Sequence, residues 1–244
     1  MGAPAQDAVS LKSGLALGVP YGLFLSAVYL LAYWGPLGLM PFQYANVADL
    51  SSATLAGLTI TFIGLALGVV GGLAIGRLAP QPPPKFAKGL FIILMASSAI
   101  AIPVLWIVLK TPAKWFLIGM FASFLATPLL MMIPALSRLL GNDYIRPLLT
   151  MAIAYMPAFM YGYGTLAVSK VQSAHAGMQI DLARSEIGAV SAKQLKYAGL
   201  LGDFHVAYEL QTRSTVLIPA GTRITLTPPQ LEPTTVRAAP ASKN

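Results

Sequence analysis

The 244-residue sequence contains no cysteine and only two histidines, His175 and His205. Without cysteine the chain has no disulfides, no thiol catalysis and no thiolate metal ligands. The two histidines stand far apart and outside any spacing typical of metal ligands, such as His-Glu-x-x-His. We therefore expect no metal, no cofactor, no catalytic residues and no enzymatic activity.

Charge is also scarce. Only 10% of the residues are charged, whereas 56% are hydrophobic and the mean hydropathy is +0.70. A soluble domain carries about 25% charged residues, so this composition is typical of a membrane protein. The net charge of +8 could indicate nucleic acid, but basic loops beside a membrane explain it more simply. We expect the lipid bilayer as a partner and no nucleic acid.

Five long stretches contain no Asp, Glu, Lys, Arg or His. Each meets the length of roughly 20 mainly apolar residues that a spanning helix needs. The fold expected is a membrane all-α bundle of about five transmembrane helices followed by a small antiparallel β meander, α+β overall. Because ionisable groups are absent from these stretches, a proton-coupled pump and a protease with paired carboxylates are disfavoured. The predicted spans are 15–34, 53–76, 89–109, 115–136 and 147–169.

The residue pattern changes after the last span. Phe204, Val206 and Tyr208 alternate with more polar neighbours, which predicts a half-buried strand, and Gly199, Gly202 and Asp203 predict the turn before it. Two further strands are expected over 215–218 and 223–227, with a short one over 194–197. The predicted domains are a transmembrane domain over 1–170, a juxtamembrane helix over 171–192, a small β domain over 193–228 and a disordered tail over 229–244.

Lysine and arginine in the short loops set the expected orientation. One set of loops carries six of these residues and the opposite set carries two, so the N-terminus is predicted to be cytoplasmic, in a bacterial inner membrane. The C-terminal domain is then expected on the opposite side. The six are Lys12, Arg77, Lys85, Lys88, Arg138 and Arg146, and the two are Lys110 and Lys114.

Four glycines recur at a spacing of four within the second predicted span: Gly64, Gly68, Gly72 and Gly76. This spacing keeps them on nearly one face of a helix. A glycine face lets another backbone approach closely in a bilayer, so it predicts a helix-packing seam. A second close approach is expected at Gly162 and Gly164, which alternate with tyrosines.

Prolines interrupt the predicted spans, and each one frees a backbone carbonyl that a neighbour or water must satisfy. They are candidates for kinks or a gate, although static kinks that help packing are the more common outcome. These candidates are Pro103, Pro128, Pro134 and Pro157.

The function expected from these features is that of a non-enzymatic subunit of a larger envelope or secretion-type membrane assembly. Its partners would be other membrane subunits or copies of itself. One alternative is a homo-oligomeric channel lined by weakly polar residues. Another is a membrane immunity protein that acts against a pore-forming toxin. The candidate channel residues are Ser97, Ser98, Ser123, Thr127 and Thr150.

Overall fold

The computed structural model describes residues 11–53, 55, 59, 63, 84–134, 146–173, 176–187 and 194–228. The chain divides into two compact units, Met1–Ala167 and Val168–Asn244. The first is helical and the second contains an antiparallel sheet.

The helices begin with α1, Leu11–Trp34, which a 3-10 turn ends at Gly35–Leu37. The short helix α2 covers Pro41–Tyr44. Three long helices follow among the described residues: α3, Pro84–Val108; α4, Lys114–Met131; and α5, Arg146–Gln172.

Residues 47–53 are also helical, and Asn46 caps this segment. The Asp49 backbone N–H donates to the Asn46 side chain at 2.9 Å, and the Asn46 N–H donates to the Asp49 carboxylate at 3.0 Å. This reciprocal arrangement satisfies two donors at a helix N-terminus. The helix therefore starts several residues before the predicted Ala53.

The prediction of about five transmembrane helices is wrong. Among the described residues, two helical segments are long and apolar enough to cross a membrane, Gly18–Leu37 and Lys114–Met131. The apolar part of α3 is shorter, Ile92–Val108. Helix α5 has the length, but tyrosine, glycine, serine and threonine interrupt its apolar residues. Absence of charge, the basis of the prediction, is a weaker requirement than sustained hydropathy.

The sheet contains five strands within the described part of the second unit, in the order β4-β3-β2-β1-β5. Every pair of neighbours is antiparallel. The strands are β1, Gln179–Ile180; β2, Leu195–Leu201; β3, Phe204–Glu209; β4, Ser214–Pro219; and β5, Leu226–Thr227.

This sheet corrects the predicted meander in three places. Strand β1 lies where a juxtamembrane helix was expected, because α5 ends at Gln172 and the chain turns back. The last strand, β5, pairs with β1 at the far edge instead of continuing beside β4. Gly199 lies in a bulge inside β2 and not in a turn, whereas Gly202, with φ +58°, does form the β2–β3 turn.

Candidate functional site

Helix α5 lies between α1 and α4, and two of its glycines make this possible. A Cβ built on Gly162 would lie 3.0 Å from the Trp115 Cβ in α4. A Cβ on Gly164 would lie 2.8 Å from the Ala32 Cβ in α1. Residues two apart on a helix point about 200° apart. The two glycines therefore face opposite neighbours, and the close approach expected there is confirmed.

A third glycine, Gly119 of α4, was not identified from the sequence. A Cβ at this position would overlap the Ala158 Cβ of α5. Gly119 and Ala158 are both small residues within long apolar stretches, and such residues allow the close backbone approach by which helices associate in lipid. This pattern could have indicated the contact from the sequence. The predicted seam of Gly64, Gly68, Gly72 and Gly76 lies outside the described residues and stays a prediction.

The contacts also give the relative directions of the helices. Tyr21 of α1 contacts Ile153 of α5, and Tyr29 contacts Tyr163. Residue numbers therefore increase in the same direction along both helices, which are parallel. Between α4 and α5 the order reverses, from Trp115–Tyr161 at one end to Met131–Arg146 at the other. Helix α4 is therefore antiparallel to α5. The buried centre of the α1–α5 contact consists of Leu25, Met156 and Met160.

Pro157 interrupts α5, and a neighbouring helix compensates for the missing hydrogen bond. Proline has no N–H, so the carbonyl four residues earlier, that of Ile153, loses its helical donor. The Tyr21 hydroxyl of α1 donates to this carbonyl at 2.6 Å. Pro157 therefore has a structural consequence, an interhelical hydrogen bond.

The other candidate prolines differ in their setting. Pro103 and Pro128 lie inside α3 and α4. Pro134 does not lie inside a span, because α4 ends at Met131, in keeping with the restriction that a proline places on the residue before it. Pro20, inside α1, was not among the candidates. A gating role for these prolines stays a prediction.

The candidate channel residues bond to their own helices. Ser98 donates to the Leu94 carbonyl at 2.7 Å, Ser123 to that of Met120 at 2.7 Å and Thr150 to that of Arg146 at 2.8 Å. All three residues are buried. Each of these hydroxyls already donates its proton to a carbonyl of its own helix and can only accept a further hydrogen bond. Because the residues are also buried, they do not support the channel hypothesis within one copy of the chain.

Aromatic side chains from four helices form a layer at one end of the helical unit, which we call the aromatic layer. Trp115 packs edge-on against Trp106 and Tyr161, with ring centroids 5.0 and 4.5 Å away. Tyr163 stacks on Tyr29 at 5.8 Å. The C-terminal ends of α1 and α3 and the N-terminal end of α4 meet here. Its members are Tyr29, Tyr33, Trp34, Trp106, Trp115, Tyr161 and Tyr163.

Lys114 adds a positive charge to the aromatic layer. Its Nζ lies 4.7 Å from the centroid of Trp106 and 5.8 Å from that of Trp115. These distances are within the range of cation–π attraction. At the opposite end of α4, the Arg146 guanidinium donates to the Met131 carbonyl at 3.1 Å, and the negative end of the helix dipole favours a cation there.

Helix α3 carries a wide exposed apolar face. At 100° per residue its exposed large side chains fall within a sector of about 200°. Ile100, in the middle of the helix, is 67% exposed, whereas Ser98 lies outside this sector and is completely buried. One side of α3 therefore packs on protein and the other does not. The exposed side chains are Ile92, Ile93, Ile100, Val104, Trp106, Ile107 and Val108.

The sheet unit contains a buried lysine. Lys196 of β2 is 0% exposed, and its Nζ has no hydrogen-bond partner in the described part of the chain. It pairs with Gln179 of β1 and Tyr208 of β3, which places the three side chains on one face of the sheet. Burial lowers the pKa of the Lys196 ammonium. The sequence did not indicate that Lys196 is buried, because the alternation of polar and apolar residues along a strand predicts one buried face and one face exposed to solvent.

His205 has a structural role on the other face. Its Nε2 lies 3.2 Å from the Ala220 carbonyl, and its Nδ1 lies 3.2 Å from the Tyr197 hydroxyl. A carbonyl only accepts, so Nε2 carries the proton and, in the neutral ring, Nδ1 accepts from the tyrosine. Burial raises the pKa of Tyr197. His205 is therefore half-buried and has a partner at both ring nitrogens.

No group of three or more His, Cys, Asp or Glu side chains is placed to hold a metal among the described residues. Comparison with known protein families, curated proteins and solved structures finds no match for this chain. The features of the described residues that bear on function are therefore the helical surfaces and the sheet.

Proposed function

We propose that this protein is an integral membrane protein that acts, without catalysis, as a subunit of a larger envelope or secretion-type assembly. The observation that carries the membrane part is the exposed apolar face of α3, centred on Ile100. Soluble monomers rarely expose contiguous apolar surface beyond a few hundred Å². Acyl chains would cover this face without any loss of hydrogen bonds, since the helix satisfies its own backbone.

The orientation proposed is a cytoplasmic N-terminus in a bacterial inner membrane. Two observations support it. At the ends of the described helices, four basic residues (Lys12, Lys85, Lys88 and Arg146) lie opposite the aromatic layer and two (Lys110 and Lys114) lie beside it, which favours this direction. In addition, α1 and α5 are parallel, so the chain after α5 emerges on the side opposite to the start of α1.

The assembly part of the proposal is supported by strand β4, Ser214–Pro219. Within the described sheet β4 pairs with β3 and is the edge strand at one end of the strand order. An unpaired edge presents N–H and C=O groups that another strand can pair with. A second copy of the chain or another membrane subunit can bind in this way.

The experiment is purification of the full chain in a mild detergent after cross-linking in cells, followed by mass spectrometry of the proteins retained. We expect a defined set of membrane subunits, or a homo-oligomer. Leu217→Lys places a charge on the edge strand and should reduce this retention. Leu200→Lys, on a strand flanked by neighbours on both sides, is the matched control and should not. A monodisperse monomer that retains no partner, with both variants unchanged, would contradict the assembly role.

A further inference from the structure

We propose that Lys114 binds a lipid-headgroup phosphate, at a membrane boundary marked by the aromatic layer, while the Arg146–Met131 contact lies at the opposite boundary. This inference rests on the proposed membrane location and specifies it further. It assigns a ligand to one side chain and a depth to each end of the helical unit.

The composition of the aromatic layer supports a boundary position. Tryptophan and tyrosine are enriched where membranes meet water, since their rings are apolar and their N–H or O–H groups need polar partners. The layer contains all three tryptophans of the sequence, Trp34, Trp106 and Trp115. Its ring contacts link α1 with α5 and α4 with both α3 and α5, at the end of the helical unit where Lys114 lies.

The surroundings of Lys114 select an anionic ligand. An ammonium group has three donors and no acceptor. The rings of Trp106 and Trp115 attract it, but they leave its charge unneutralised, and Lys114 makes no ion pair with a carboxylate of the described residues. A phosphate outside the protein would supply the missing negative charge.

A lipid fits this position better than a free phosphate. Trp106 is 53% exposed and lies at the edge of the exposed face of α3, beside the exposed residues Pro103 and Ala99 of the preceding turns. An acyl chain below the phosphate would lie on this face, whereas a free anion would leave it uncovered. The apolar face and the cation therefore match the two parts of one phospholipid.

The distance between the two ends agrees with a membrane. From Trp115 to Met131, α4 rises about 24 Å at 1.5 Å per residue, and α5 rises about 23 Å from Arg146 to Tyr161. The hydrocarbon layer is about 30 Å thick. The long side chains of Lys114 and Arg146 can extend outward at both ends and so cover the difference.

The test uses the full chain in lipid nanodiscs, with Trp34→Phe and Trp115→Phe so that Trp106 is the single tryptophan. Its fluorescence is quenched by phosphatidic acid or phosphatidylcholine that carries bromine near either end of the acyl chain. We expect stronger quenching by bromine near the headgroup end. We also expect an about fivefold preference for phosphatidic acid, the size typical of one lysine at an anionic surface.

Lys114→Met should abolish the preference for phosphatidic acid and leave the depth of Trp106 unchanged, and millimolar inorganic phosphate should not compete. Equal quenching by the two lipids, or stronger quenching from the chain terminus, would overturn the proposal. Competition by inorganic phosphate would assign the site to a free anion and also overturn it.

A second variant separates this inference from the proposed function. In a chain with all three tryptophans replaced by phenylalanine, Ile100→Trp places a probe about 9 Å along α3 from Trp106. If bromine near the end of the acyl chain quenches Trp at position 100 strongly, but Trp106 is not quenched more strongly by bromine near the headgroup, only the boundary assignment is refuted. If lipid bromine quenches neither probe, the membrane location itself is refuted.

Discussion

The Tyr21 hydroxyl donates to the Ile153 carbonyl at 2.6 Å, across 132 positions of sequence. This carbonyl is free because Pro157 has no N–H to offer it. One proline in α5 and one tyrosine in α1 therefore form a single structural unit. In a low-dielectric interior an unpaired carbonyl is costly, so the bond stabilises the parallel packing of the two helices.

Tyr21→Phe should lower the free energy of unfolding by about 1 kcal/mol, as expected for an interhelical hydrogen bond in a membrane protein. In a Pro157→Ala background the same substitution should cost much less, because the backbone N–H that alanine supplies at this position would restore the helical bond to the Ile153 carbonyl. Thermal unfolding in mild detergent measures this double-mutant cycle. Equal costs in both backgrounds would show that the hydroxyl does not act through this carbonyl.

Close packing around α5 predicts that added methyl groups are harmful at particular glycines. Gly119→Ala and Gly164→Ala should each destabilise the helical unit by about 1–3 kcal/mol, since they force overpacking. Gly18→Ala is the control, because a Cβ there meets nothing within 4 Å. Ala158→Gly should rescue Gly119→Ala by making room. If all three alanine variants unfold at the same temperature, the described contacts are not the ones that hold the unit together.

Lys196 predicts a pH dependence of stability. Because burial lowers its pKa in the folded state, the unfolded chain binds more protons between that lowered value and the ordinary value of about 10.4. Stability should therefore rise with pH through this window, measured below about pH 10 so that the tyrosines stay protonated. Lys196→Met should flatten the rise and stabilise the full chain by about 1–3 kcal/mol at neutral pH.

The matched control for Lys196 is Lys170→Met, which removes a lysine from the last turn of α5 and should leave the rise in place. Denaturant unfolding in detergent at several pH values gives both curves. Lower stability of Lys196→Met at every pH would indicate that the ammonium is paired in the native protein.

The parallel arrangement of α1 and α5 predicts the side on which the chain ends. A reporter that is active only outside the cytoplasm should be active when it is fused after Asn244. The same reporter fused within the Lys110–Lys114 turn should also be active, since α4 and α5 share the aromatic layer at this end. Activity of a cytoplasmic reporter at both positions would reverse the orientation.

The sequence predicts local features well where a structural feature requires a particular residue type, such as glycine in a tight turn or at a close helix contact. Gly202 and Asp203 give the β2–β3 turn, and Gly162 and Gly164 give the close approach in α5. Strand alternation locates β3 but misjudges its exposure, because Val206 and Ala207 point to opposite faces of the sheet and are both completely buried. The two-residue periodicity of a strand shows which side chains share a face. It does not show what packs against each face.

Long-range relationships were not predictable from the sequence in the same way. Nothing around Tyr21 indicates Ile153 as its acceptor, and the strand pairing of Thr227 with Gln179 depends on how the chain returns across the sheet. The number of spans was overestimated because charge-free length was the criterion. The tyrosine, serine and threonine residues of α5 carry no charge, but they lower the hydropathy of the helix.

The proposed membrane location requires the exposed face of α3 to lie in lipid. Because the chain has no cysteine, single-cysteine variants at Ile100 and Ser98 can each carry one spin label without any background. In nanodiscs the label at position 100 should be accessible to oxygen and inaccessible to a water-soluble nickel chelate. The label at the buried position 98 should be inaccessible to both reagents. Free access of the nickel chelate to position 100 would show that this face meets water, and would contradict the proposed membrane location.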